Sequence, residues 1–284
     1  MLPESDEIQS SASKRELLCQ QWQLCLLAIS FFTRIPVNMA VDVTAKMLNE
    51  ASRFFALVGV LIGIISALAF YLSAMSLPTE IALLIAMASS VLLTGAFHED
   101  GWADVWDGFG GGWSIENKLN IMKDSRLGTY GAAALFFILM IKYQTLLALI
   151  QQNMSNVNLI NDGLSVLSIL VLGHCLSRVL ATSLIADMPY VSEDATSKVK
   201  PLAQALSNNS YITLLATGTV ILLITLSFSV IWTLVVILLL TRWCLKRWFM
   251  QQLGGYTGDC LGAAQQFSEV VIYISLLALT SASI

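Results

Sequence analysis

Long apolar runs, most of them uninterrupted by charge, dominate the pattern of this chain. Residues 54–75 carry no charged side chain and are long enough to cross about 30 Å of hydrocarbon. A shorter uncharged run covers 81–97. Residues 130–150 are interrupted only by Lys142, and 164–186 by His174 and Arg178. One continuous apolar run covers 211–241, and a last one, short for a span, covers 270–284. The early run 22–32 is shorter still and suits an interfacial or re-entrant helix better than a crossing one.

The run 211–241 is too long for one ordinary span and tight for two. Charge decides between them, because Lys and Arg concentrate in cytoplasmic loops. An N-terminal region placed inside brings Lys14, Arg15, Arg34, Lys46 and Arg53 to that side. The loops 98–129, with Lys118, Lys123 and Arg126, and 187–210, with Lys198 and Lys200, then lie inside too. If 211–241 is a hairpin turning near Ser227 to Ser229, Arg242, Lys246 and Arg247 join them. The opposite loops, 76–80 and 151–163, hold no Lys or Arg. The expected architecture is all-α: a polytopic membrane bundle of about seven segments, its active site at the cytoplasmic face and its C-terminus outside.

Composition agrees. Of 284 residues 56% are hydrophobic and 12% charged, with a mean hydropathy of +0.74, whereas soluble domains carry about 25% charged residues. Five cysteines form neither C-x-x-C pairs nor zinc-type spacings and read as small apolar residues. Residues 1–13 are polar and acidic, so no secretory signal is expected there. The chain divides into a soluble tail, 1–21, and a single integral membrane catalytic domain, 22–284.

The chemistry concentrates in 94–131, TGAFHEDGWADVWDGFGGGWSIENKLNIMKDSRLGTYG. Asp100, Asp104 and Asp107 are spaced i, i+4, i+7, within about 60° on one helix face. Acidic runs are commonly plain solvated faces. Here the acids alternate with Trp102, Trp106, Phe109 and Trp113 against the membrane, where ionisable groups are functional by default. Their mutual repulsion is relieved by a divalent cation, and Mg²⁺ favours carboxylate oxygens and bridges to phosphates. Gly101 and Gly108, about 90° round, permit close approach of a ligand or helix. Gly110, Gly111 and Gly112 end the helix, and Ser114 is an expected N-cap for the next, which reaches Lys123. Asp124, Ser125 and Arg126 follow, Arg126 offering a planar fork for phosphate.

Two further segments suit phosphate. The stretch 254–263 is glycine-rich, and such backbone can aim N–H groups at phosphate oxygens, although many glycine-rich runs are plain turns. Arg34 is a lone cation after an apolar run, which is also the signature of a snorkelling anchor. His98 points away from the aspartates and reads as structural or as a partner to the site. His174 reads as a hydrogen-bonded core residue. Arg178 is costly inside a span and should face the bundle or its cytoplasmic end.

Four blocks together resemble the cobalamin synthase, or adenosylcobinamide-GDP ribazoletransferase, family: FFTRIPV at 31–37, GAFHEDGWADVWDG at 95–108, IMKDSRLGTYGAAAL at 121–135 and GGYTGDCLGA at 254–263. The family pattern H-x-D-G-x-x-D-x-x-D-G is filled by His98, Asp100, Gly101, Asp104, Asp107 and Gly108. Glu99 and Lys123 depart from it, standing where relatives carry an apolar residue and Arg. The resemblance implies a transferase at the end of cobalamin assembly, in the cell inner membrane. Its substrates would be adenosylcobinamide-GDP and α-ribazole or α-ribazole 5′-phosphate, with release of GMP. It implies Mg²⁺ on Asp100, Asp104 and Asp107, and Asp259 or Asp124 as the proton acceptor. Substrate contacts would come from Arg34, Lys123, Ser125, Arg126, Gly128, Arg178, Thr257 and Gly258. No nucleic-acid partner is expected, and a homo-oligomer is compatible with the sequence. Two alternatives differ in class. A membrane CDP-alcohol phosphotransferase would also use aspartates on a helix, but its Ala-Arg step is missing here. A transporter would use Lys142, His174 and Arg178 along a path, without the paired broken helices expected of one.

Overall fold

The computed structural model describes residues 4–38, 42–155, 164–191 and 205–281. Helices account for most of the described backbone. They are α1 (Glu4–Phe32), α2 (Ala45–Ala51), α3 (Phe55–Ala74), α4 (Thr79–Thr94), α5 (Phe97–Gly111) and α6 (Ile115–Met122), followed by α7 (Thr129–Ser155), α8 (Val166–Ser183), α9 (Asn208–Thr225), α10 (Phe228–Leu253) and α11 (Gly258–Ser281). Six helical stretches are long and apolar enough to cross a membrane, and the bent pair α4 and α5 supplies a seventh candidate. The chain is therefore an all-α, multi-pass membrane protein.

α8 and α11 are the central pair. They contact each other, and α8 packs on α3 while α11 packs on α5 and α7. Glycines set these approaches: a Cβ on Gly63 would stand 2.7 Å from the Val171 Cα, so α3 and α8 touch backbone to backbone. By contrast α9 and α10 lie outside, with only 28% and 17% of their spanning windows buried, and they turn a broad apolar surface outward. The hairpin between them breaks at Leu226 and Ser227, slightly ahead of the turn expected near Ser227 to Ser229.

The sequence pattern misplaced two ends. The final run was expected at 270–284, but α11 begins twelve residues earlier, at Gly258. Gln265, Gln266 and Glu269 interrupt its hydropathy, yet all three are buried. The run 22–32 belongs to one helix that begins at Glu4; its side chains are exposed from Arg15 to Gln20, and close packing starts at Leu24. Lys198 and Lys200, and most of the 151–163 loop, fall outside the described residues.

α4 ends where Gly95 turns left-handed (φ 67°), and Ala96 follows in the same region (φ 60°). Glycine adopts that conformation freely; alanine does so only when its surroundings hold it. Two such residues in succession turn α5 by 85° from α4. α5, with its acids, is thus laid across the end of the bundle, packed on α11 and α7. Successive spans alternate in direction, so residues 33–38 and 42–44, the α5–α6 region, 187–191 and 254–257 share this end. Tyr190 bridges to Tyr256 there, and the Arg34 amide donates to the Leu93 carbonyl at 2.7 Å.

Candidate active site

Helical spacing places the three α5 acids on one flank, but at different depths. Asp100, in the first turn, is exposed, Asp104 is half-buried and Asp107 is buried. α11 supplies a fourth acid, Asp259, because the two helices touch at glycine. A Cβ on Gly101 would stand 2.9 Å from the Asp259 carbonyl oxygen, and one on Gly262 would stand 3.4 Å from the Gly101 Cα. Burial, then the charges of Asp100, Asp259 and Asp107, push the Asp104 carboxyl up to about 7.

Asp107 has a separate task. Its carboxylate accepts the Gly128 amide at 2.7 Å and the Gly131 amide at 2.8 Å. These amides flank the start of α7, where helical N–H groups have no partner within the helix. One lone pair on each Asp107 oxygen is thus engaged, and Gly128 serves this anchor. Among the described residues, no three His, Cys, Asp or Glu side chains are grouped closely enough to hold a metal ion as they stand.

Beside the acids opens a cavity of about 240 Å³. Lys123, Arg178, Thr257, Gly258 and Asp259 all line it. Arg178 is 4% exposed; one of its terminal nitrogens donates to the His174 carbonyl at 2.9 Å, and its Nε has no hydrogen-bond partner among the described residues. Thr257 caps α11, accepting the Cys260 amide at 3.3 Å, and its hydroxyl reaches Asp259 at 3.4 Å.

The remaining expected substrate residues lie elsewhere. Arg126 pairs with Asp124 through Nε at 3.0 Å and a terminal nitrogen at 2.5 Å, in an exposed loop. Those hydrogen bonds, from the side chain first and then the Arg126 backbone, hold the Asp124 carboxyl below its ordinary value. Ser125 is exposed in the same loop. The Arg34 guanidinium lies over Gly95 at the α4–α5 bend, where a Cβ would meet it. Arg34, Ser125, Arg126 and Gly128 are not in the cavity wall.

A buried polar network beneath the cavity centres on Glu269, which sequence reasoning passed over. Glu269 is fully buried; it pairs with Lys142 at 2.7 Å and accepts from Gln265 at 2.8 Å and Tyr273 at 2.9 Å. His174 Nδ1 lies 3.4 Å from it. Gln266 extends the network to Glu99 at 3.0 Å. Lys142 and His174 were recognised as exceptions within apolar runs. The i, i+4 succession Gln265–Glu269–Tyr273 was the matching signal on α11.

These features define the class: a helical membrane protein with an acid-flanked cavity at one end of its bundle. Residues 24–277 match the model of the family described as cobalamin-5-phosphate synthase. The chain is 50% identical to the adenosylcobinamide-GDP ribazoletransferase of Shewanella frigidimarina, over 91% of this chain and 95% of that one. It is 52% identical to that of Shewanella piezotolerans, over 91% and 96%, and 45% identical to that of Vibrio parahaemolyticus, over 95% and 97%. No solved structure matches. The chain belongs to the cobalamin-5-phosphate synthase family, which sets aside both the CDP-alcohol phosphotransferase and the transporter.

Proposed function

We propose that this chain joins adenosylcobinamide-GDP to α-ribazole or its 5′-phosphate and releases GMP. The ribose 3′-hydroxyl oxygen attacks the phosphorus bound to the cobinamide arm. The bond from that phosphorus to the GMP oxygen breaks, and GMP departs with its electron pair. The hydroxyl proton passes to a carboxylate. Asp259 suits that role better than Asp124, because it lines the cavity and stands beside the α5 acids. Asp124 is occupied by Arg126, and a carboxylate held low by hydrogen bonds is a poor proton acceptor.

Attack on an anionic diphosphate requires its charge to be offset and both oxygens to be held in line. Carboxylate-only donors at a wet helix face fit Mg²⁺, which keeps several waters of its own. Asp100 and Asp104 would hold it, with Asp107 contributing only the lone pairs left by Gly128 and Gly131. When bound, Mg²⁺ supplies charge neutralisation to the diphosphate. Lys123 and Arg178 hold oxygen atoms of the substrates at the cavity, while Arg34 and Arg126 act from its surroundings.

The end of the bundle that carries the acids also carries Arg34, Lys118, Lys123, Arg126, Arg242 and Lys246, whereas 75–78 and 226–227 at the other end have no Lys or Arg. That asymmetry supports an inner-membrane protein with its site facing the cytoplasm. The observation that carries the proposal is the position of Asp259, shared between cavity and acid cluster. Incubating the purified protein with both substrates and Mg²⁺ should release GMP, and excess chelator should stop it. No GMP from the complete mixture would overturn the transferase assignment. Undiminished release in chelator would remove the metal.

A further inference from the structure

We infer that the cavity is the acceptor subsite: it takes the nucleoside, a bicyclic aromatic base on a pentose, and its aromatic wall selects the base. This rests on the transferase reading, and it assigns one of the two substrates to a place.

Size is the first ground. A volume of about 240 Å³ admits a base with its pentose and cannot admit a corrin ring. The corrinoid must lie outside, with only its diphosphate reaching the acids.

The wall is the second. Phe32 is the hub of one aromatic side, edge-on to Phe55 at 4.1 Å and to Phe97 at 5.9 Å and parallel to His98 at 6.0 Å. Tyr190 and Tyr256 form another, 5.5 Å apart. Aromatic faces of this kind bind a planar base by stacking and edge contacts and leave little room for added bulk.

Polar atoms give the third. Arg178 is nine-tenths buried and lines the cavity with an Nε that nothing among the described residues satisfies. Leaving such a donor unmet is costly. An oxygen of the ribose, or of its 5′-phosphate, satisfies it. Asp259 in the same wall then meets the sugar hydroxyl that must lose its proton.

Steady-state kinetics of GMP release, with each substrate varied in turn, test the assignment. Ala181→Leu projects bulk into the cavity from α8. It should raise KM for α-ribazole about tenfold or more, the usual effect of methylene-scale changes in an apolar pocket, and leave KM for adenosylcobinamide-GDP within about twofold. Phe55→Leu enlarges the aromatic side and should shift the kcat/KM ratio between the dimethylbenzimidazole nucleoside and the unsubstituted benzimidazole nucleoside by about fivefold or more. Phe55→Leu keeps the test open if Ala181→Leu does not fold. If these variants instead raise KM for adenosylcobinamide-GDP, or leave acceptor KM and base preference unchanged, the assignment is wrong. A wild-type protein that releases no GMP would instead overturn the transferase reading itself.

Discussion

Gly101 lies directly against Asp259, with no room for a side chain between the α5 and α11 backbones. That contact brings an acid from near the C-terminus into a cluster formed 150-odd residues earlier in the chain. Gly101→Ala should force the helices apart. Overpacking of this kind costs about 1–3 kcal/mol, so thermal unfolding in detergent should shift downward. Turnover should fall more than substrate affinity, because Asp259 moves relative to Asp104. A variant with wild-type melting and turnover would show that the close approach has no role.

Asp107 holds the start of α7 through two backbone amides. Asp107→Ala leaves both without an acceptor, at about 1–3 kcal/mol for each buried group. Hydrogen exchange at 128–132 should accelerate locally. Asp107→Asn keeps one acceptor oxygen and should fall between Ala and wild type. Equal exchange in all three would contradict the anchoring role.

Asp104 gives a pH dependence whose sign follows from its surroundings. Its carboxyl titrates at about 7 in the fold against an ordinary 3.8. Between those values the folded protein binds the extra proton, so stability falls as pH rises through that window. Melting temperature measured in chelator should therefore decline from about pH 5 to pH 8, and Mg²⁺ should restore more of it at pH 8 than at pH 5, because metal binding needs the ionised carboxylate. Asp104→Asn should weaken both trends.

Glu269 compensates Lys142 inside the bundle. Removing one partner of a buried pair strands the other charge and costs about 3–5 kcal/mol. Lys142→Met or Glu269→Gln alone should accordingly lose most folded protein. The double variant, Lys142→Met with Glu269→Gln, should recover much of that loss, because neither remaining group is charged. Thermal unfolding of the two single variants and the double variant measures the coupling. Additive losses would contradict it.

Most of the architecture was legible because lipid leaves few options: uncharged runs of adequate length become spans, and the Lys and Arg bias orders the loops. The acidic helix and the Ser114 cap followed from local pattern, and the hairpin near Ser227 from the Lys and Arg bias. The sequence pattern did not reveal the early start of α11, because burial of Gln265, Gln266 and Glu269 depends on partners on α5, α7 and α8. Nor could it separate Asp107, spent on backbone amides, from Asp100 and Asp104 on the same helical flank. Spacing on a helix reports direction; what lies opposite is set by the fold.

The central claim is that Asp259, between cavity and acids, accepts the proton during transfer. The most direct test is single-turnover GMP release by Asp259→Asn, with folding checked by thermal unfolding and affinity for both substrates measured separately. Loss of a general base predicts a rate lower by about 10²–10⁴ with both substrates still bound. A rate within about threefold of wild type would contradict the account.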